Sequence, residues 1–191
     1  MALILFTGPS ATGKTTIARK IGEKLGIPVV GEREILRGLA HSYGFTRTRY
    51  WLFKVGIKTV LDEALTETIN TIRREKNERG VILDGSYDCR LPQILAKEFK
   101  DEKVLIIAIN AEKERRENWM KERMKVSREE VLVEMGLIDK FKYYASMEEI
   151  IKAANLVIEN NRPINEVVHE ICPRLESEIF GRPFGPERER R

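Results

Sequence analysis

Cysteine occurs twice in the 191 residues, histidine twice and glutamine once, at Gln93. Cys89 and Cys172 are too few and too far apart for a disulfide framework or a thiolate metal site, so both read as ordinary thiols. His41 and His169 are isolated, and neither is assigned a catalytic role. No apolar run approaches the about 20 residues that cross a bilayer. The apolar opening segment is broken by a Gly-Lys-Thr turn with no small-residue cleavage site after it, which argues against a secretory leader. The expected location is cytoplasmic, away from membranes. No internal repeat is visible, and the length suits one domain with a sizeable core. The lack of glutamine beside abundant Lys, Arg and Glu is a balance found in proteins from hot environments.

Against these absences stand a charged content of 34% and a net charge of +4, with arginine concentrated in the closing "GRPFGPERERR". A basic surface of this kind suits phosphorylated ligands or RNA equally. Short apolar runs at Leu3–Thr7, Pro28–Gly31, Val81–Asp84, Val104–Ile109 and Leu156–Glu159 alternate with helical segments. That alternation predicts an α/β fold, a doubly wound parallel sheet of five strands covered by helices. Helices are expected to start near Gly13, Glu32, Lys58, Leu91, Ala111, Ser127, Asp139 and Pro163. Within a domain spanning residues 1–179, residues 43–58 look like an insertion and 111–146 like a helical cover. Residues 180–191 look like a loosely ordered basic tail.

The stretch "GPSATGKT", Gly8 to Thr15, joins the first strand to the first helix. Its spacing of Gly, four residues, Gly-Lys and Ser/Thr is that of the phosphate-binding P-loop, and its strand-to-helix context agrees. Glycines let successive N–H groups turn inward toward phosphate oxygens, and the helix N-terminus adds a favourable partial charge. Gly8, Ser10, Ala11, Thr12, Gly13, Lys14, Thr15 and Thr16 are therefore the candidate nucleotide contacts. Lys14 would reach the β- and γ-phosphates of ATP, and the Thr15 hydroxyl would ligate Mg²⁺. Asp84, at the carboxyl end of the third strand, is the second candidate Mg²⁺ ligand. No Asn-Lys-x-Asp sequence occurs, which argues against a guanine-nucleotide switch.

With this turn, length and strand pattern, the chain resembles the nucleoside monophosphate kinase-like group of P-loop kinases. Within that group it looks closest to dephospho-coenzyme A kinase-like and small-metabolite kinase members. The resemblance implies a P-loop NTPase-type sheet with a helical lid. It implies an acidic residue and an arginine after the second strand, which "GEREILRGL" offers as Glu34 and Arg37, with Glu32 competing for the role of base. It implies an acceptor-binding arginine after Asp84-Gly85, here Arg90, with Asp88 either a contact or a cap. It implies lid arginines, here Arg116 and Arg123, seven residues apart on one helix face with Arg115 to the side. "ANLVIENNR" is similar to the segment that lies beside the adenine, which brings in Asn160, Asn161 and Arg162.

"FTRTRYWLFKVGIK" interleaves aromatic and basic residues. Arg47, Arg49 and Lys54 could clamp a small phosphorylated acceptor, while Trp51, Leu52, Phe53 and Val55 are expected to pack. The same mixture could stack on and neutralise a single-stranded RNA end. Three functions follow: an ATP- and Mg²⁺-dependent phosphotransferase acting on a small nucleotide or metabolite, a kinase of RNA or DNA ends, and a nucleotide-binding regulatory ATPase module. Oligomeric state is left open.

Overall fold

The computed structural model describes residues 1–181, so most of the expected basic tail lies outside the described residues. The five apolar runs become β1 (Ala2–Thr7), β2 (Val29–Gly31), β3 (Gly80–Asp84), β4 (Lys103–Asn110) and β5 (Leu156–Glu159). All are parallel, in the order β2-β3-β1-β4-β5. Nine described helices cover them: α1 (Lys14–Leu25), α2 (Glu32–Ser42), α3 (Thr48–Val55), α4 (Ile57–Glu75), α5 (Leu91–Glu98), α6 (Lys113–Met124), α7 (Arg128–Tyr144), α8 (Met147–Lys152) and α9 (Ile164–Phe180).

Every residue of β1 is buried, because the central strand of a parallel sheet is covered on both faces. Side chains alternate across it. Ile4 and Phe6 join α1 and α9 in one core, where Ile17, Ile21, Val167 and Ile171 meet them. Leu3 and Leu5 join the opposite core with Ile35, Ile72, Leu91 and Leu95 from α2, α4 and α5. From β1 the chain moves to β2 and β3 on one side, then crosses to β4 and β5 on the other. The carboxyl ends of β1 and β3 therefore flank the reversal point, where open α/β sheets place their ligands. Gly85 and Ser86 fix this edge, both donating N–H groups to Phe6 O at 3.1 and 2.9 Å.

Two segments differ from the expected boundaries. No helix starts at Asp139: α7 runs through it from a capping box in which Ser127 and Glu130 satisfy each other's N–H groups, and breaks only before Ser146, whose φ is 60°. The Asp139 carboxylate contacts the phosphate turn and caps nothing. Residues 43–58 contain a helix of their own, α3, which packs on α2 and α4. Trp51 is its buried anchor and stacks on Tyr43 at 5.6 Å between ring centroids. Leu52 and Val55 are half-buried, whereas Phe53, also expected to pack, is 80% exposed.

Candidate active site

The phosphate turn is built from its glycines outward. At Gly8, φ is 128° and an added Cβ would lie 2.2 Å from the carbonyl oxygen of Ile109, so β4 leaves no room for a side chain. At Gly13, φ is 87° and a Cβ would lie 2.5 Å from Asn160 Nδ2. Ala11 also adopts a positive φ, 56°, an unusual conformation for a residue with a Cβ and one that clusters at functional sites. Helix α1 then begins at Lys14 with no capping side chain and no acidic residue in its first turn, so its free N–H groups stay available to an anion. The Lys14 ammonium folds over the turn, donating to Pro9 O at 2.5 Å and Thr12 Oγ1 at 3.0 Å. Burial, reinforced by Lys142 and Arg116 and opposed by Asp84 and Asp139, holds its pKa well below the ordinary lysine value. Thr15 and Thr16 are exposed at the mouth.

α6 and α7 bring three side chains onto this turn. Arg116 Nε donates to Ser10 O at 2.7 Å, and its Nη2 pairs with Asp139 Oδ2. Asp139 Oδ1 accepts the Ser10 N–H at 2.9 Å and its hydroxyl at 2.6 Å. Lys142, one turn further along α7, is buried and donates to Gly8 O at 3.1 Å with its ammonium 5.3 Å from the Tyr87 ring centroid. Burial, with Arg33 and Arg116 adding to it and Asp139 and Glu32 opposing, lowers its pKa to about 8. Arg123 lies two turns from Arg116, with its guanidinium against Met120 Sδ and Arg33 as a cationic neighbour. Asp139 and Lys142 were both missed from sequence, since neither belongs to a local motif.

On the β2–β3 side the acidic pair separates. Glu32, at the first position of α2, is 3% exposed, and its Oε2 has no hydrogen-bond partner among the described residues. Burial, with Asp88 and Asp84 adding and Lys142 opposing, pushes its carboxyl well above the ordinary glutamate range. Glu34 instead is exposed, its carboxylate curled over Gly31 so closely that a Cβ there would lie 1.8 Å from Oε2. Asp84 is half-buried at the end of β3, in register with Phe6 of β1 and Gly31 of β2.

Of the arginines expected at the acceptor, Arg90 is engaged by the protein itself. Its guanidinium binds Asp88 at 2.6 and 2.9 Å through the Nε–Nη2 edge and Asp62 at 2.6 Å through Nη1, so most of its donors are committed within the fold. Arg37, Arg47 and Arg49 are exposed on or beside α2 and α3 without carboxylate partners among the described residues, and Arg49 lies 5.3 Å from the Tyr50 ring centroid. Asn160 must be corrected: it is fully buried and donates to Thr12 O at 2.9 Å, so it braces the turn from behind and cannot reach a base. Asn161 is exposed; its Oδ1 accepts the Glu112 N–H at 3.1 Å, and its carbonyl oxygen accepts from Arg115 at 3.3 Å. Asn155, at the start of the same segment, is likewise structural, accepting the Ile106 N–H at 2.8 Å.

The donors near the turn fit Mg²⁺ in type. One hydroxyl at Thr15 and one carboxylate at Asp84 are hard oxygen ligands of the sparse kind that Mg²⁺ accepts, because it keeps waters and phosphate oxygens in its shell. Asp84 stands in register with Phe6, two residues before Gly8, which sets it at the strand edge where the phosphate turn begins. Among the described residues no group of three or more His, Cys, Asp or Glu forms a self-sufficient metal cage.

An all-parallel sheet in this order, with a Gly-Lys-Thr turn after its central strand and a carboxylate at the adjacent strand end, is the fold of P-loop kinases. The chain belongs to the AAA_17 family, an AAA domain, whose model matches residues 7–135. It is similar to UPF0200 protein PH1008 of Pyrococcus horikoshii, 27% identical over 175 residues that cover 88% of this chain and 93% of that protein. Adenylate kinase of Thermotoga neapolitana is 34% identical over 88 residues, 44% of this chain and 40% of the enzyme. Shikimate kinase of Aquifex aeolicus shares the fold at a TM-score of 0.60 and 17% identity, over 93% of this chain and 99% of that one. No described helix is long and apolar enough to cross a membrane.

Proposed function

We propose that the protein is an ATP- and Mg²⁺-dependent phosphotransferase that moves the γ-phosphoryl group onto a small acceptor, a nucleotide or metabolite. The acceptor would lie between the phosphate turn, the start of α2 and the end of β3. The observation that carries this reading is Glu32, a buried carboxyl with an unpartnered oxygen one residue past Gly31, which stands in register with Asp84. A solvated structural glutamate would not sit there, whereas a carboxyl kept free of protein partners can accept the proton of an acceptor hydroxyl. A phosphate oxygen needs no base at neutral pH, whereas a hydroxyl does, so Glu32 favours a hydroxyl acceptor over a phosphate one.

In this reading Glu32 takes the hydroxyl proton, the role that the sequence resemblance gave to Glu34. Lys14, Lys142 and Arg116 neutralise charge on the transferring group, and α6 and α7, with Arg123, form the lid that excludes water. Thr15 and Asp84 would hold Mg²⁺, directly or through water, and the ion would neutralise phosphate oxygens. Asn161 and Arg115 border the place of the nucleobase. The test is ADP formation from Mg²⁺-ATP across nucleoside monophosphates, dephospho-coenzyme A, sugars and polyols. One acceptor class should accelerate turnover, and equal turnover with and without every acceptor would refute the reading.

A second reading has one observation in its favour. Tyr50 and Phe53 are exposed one turn apart on α3, beside Arg47, Arg49 and Lys54, which suits stacking on a nucleic-acid end. Salt-sensitive binding of short oligonucleotides separates it from the first.

A further inference from the structure

Asp139 stands in the middle of α7, 129 residues from Ser10, yet its carboxylate reaches the phosphate turn. Each of its oxygens has a distinct task. Oδ1 takes both the N–H and the hydroxyl of Ser10, while Oδ2 faces the Arg116 guanidinium, which in turn donates through Nε to the Ser10 carbonyl. The ring of contacts closes on one residue of the turn. We infer that Asp139 is a positioning residue, holding the Arg116 guanidinium against the phosphate turn so that it is aimed before nucleotide arrives.

Electrostatics makes such a residue necessary. Arg116 shares the turn with two buried ammonium groups, Lys14 and Lys142, and a third cation would be driven away from them without a carboxylate between. A free arginine side chain on a charge-rich helix also loses considerable rotamer entropy when fixed in one place. Here the side chain is fixed at both ends of its fork and is only 12% exposed. Burial opposes charge on Asp139, but the Ser10 hydroxyl and N–H and the nearby Arg116 hold its pKa below the ordinary aspartate value, so it stays anionic. The other lid candidate, Arg123, has no such carboxylate among the described residues.

The kinetic part of this inference rests on the phosphotransferase reading, and its test separates the two. Asp139→Asn can still accept from Ser10 but turns an N–H donor toward Arg116. It should lower kcat about 10- to 100-fold, the cost of a misplaced catalytic group, while nucleotide affinity changes less than about threefold. In an Arg116→Ala background the same change should cost nothing more. Unchanged kcat, a loss confined to KM, or losses that multiply with Arg116→Ala would overturn the inference. If the Asn variant fails to fold, Ser10→Ala removes the 2.6 Å hydroxyl contact from the other side and should show the same non-additivity with Arg116→Ala. Amide exchange reads the contact without any turnover: the Ser10 N–H should be protected in nucleotide-free protein and exchange about tenfold faster in Asp139→Ala. A Ser10 amide already unprotected in the wild type would refute the contact, whereas protection without acceptor-dependent turnover would refute only the kinase reading.

Discussion

Glu32 and Glu34 are two positions apart in one turn of α2, and burial gives them opposite characters. Glu32→Gln should lower kcat about 10²- to 10⁴-fold, the usual contribution of a general base, while Glu34→Gln stays within about threefold of wild type in the same assay. The Glu32 carboxyl is raised above its unfolded value, so its contribution to stability is present at acid pH and is lost as pH rises through the folded pKa. Glu32→Gln should therefore raise the melting temperature at pH 8 by about 2–4 °C for each kcal/mol relieved, and leave it nearly unchanged at pH 4. A variant less stable than wild type at pH 8 would show that the charged carboxylate has a partner. Asn160→Ala should cost about 1–3 kcal/mol in denaturant unfolding, because it strands the buried Thr12 carbonyl. The resemblance put Glu34 forward with Glu32 as its competitor, and it brought in Asn160 and Asn161 together. Exposure decides which of each pair acts, and exposure depends on neighbours far along the chain.

At the scale of the element, α1 was legible because a strand, a glycine turn and an uncapped helix are local features with fixed spacing. The start of α7 at Ser127 was legible too, but the roles of its Asp139 and Lys142 were not, since they gain meaning only from a turn more than 120 residues away. The Lys142 pKa of about 8 reflects burial among other cations, and a phosphate anion placed beside it should raise that value. Nucleotide binding at pH 8 should then take up protons, and affinity should fall as pH rises further. Calorimetry in two buffers of different ionisation enthalpy checks this: the apparent enthalpy should depend on buffer, less so in Lys142→Met, and buffer independence would contradict it. For α3, a glance at the aromatic run cannot separate anchor from surface. Trp51→Ala should destabilise the fold by about 3–5 kcal/mol, and Phe53→Ala, at an exposed position, by less than about 0.5 kcal/mol; denaturant midpoints measure both.

Over the whole molecule, five apolar runs and their helical spacers were enough to specify a doubly wound sheet, because a buried parallel strand has a composition that few other elements share. That sheet brings the ends of β1, β2 and β3 together, and with them Lys14, Glu32 and Asp84 from three distant stretches of sequence. The acceptor's identity was not legible, since Arg37, Arg47, Arg49 and Arg90 are plausible ligands in any basic chain and Arg90 is engaged within the fold. The most direct test of the account is phosphorus NMR of Mg²⁺-ATP turnover with the acceptor panel, in wild type, Lys14→Ala and Glu32→Gln. The account predicts that the γ-phosphorus appears on a hydroxyl of one acceptor class in wild type and is lost to near background in both variants. Release of that phosphorus only as inorganic phosphate, at a rate no acceptor changes, would contradict it.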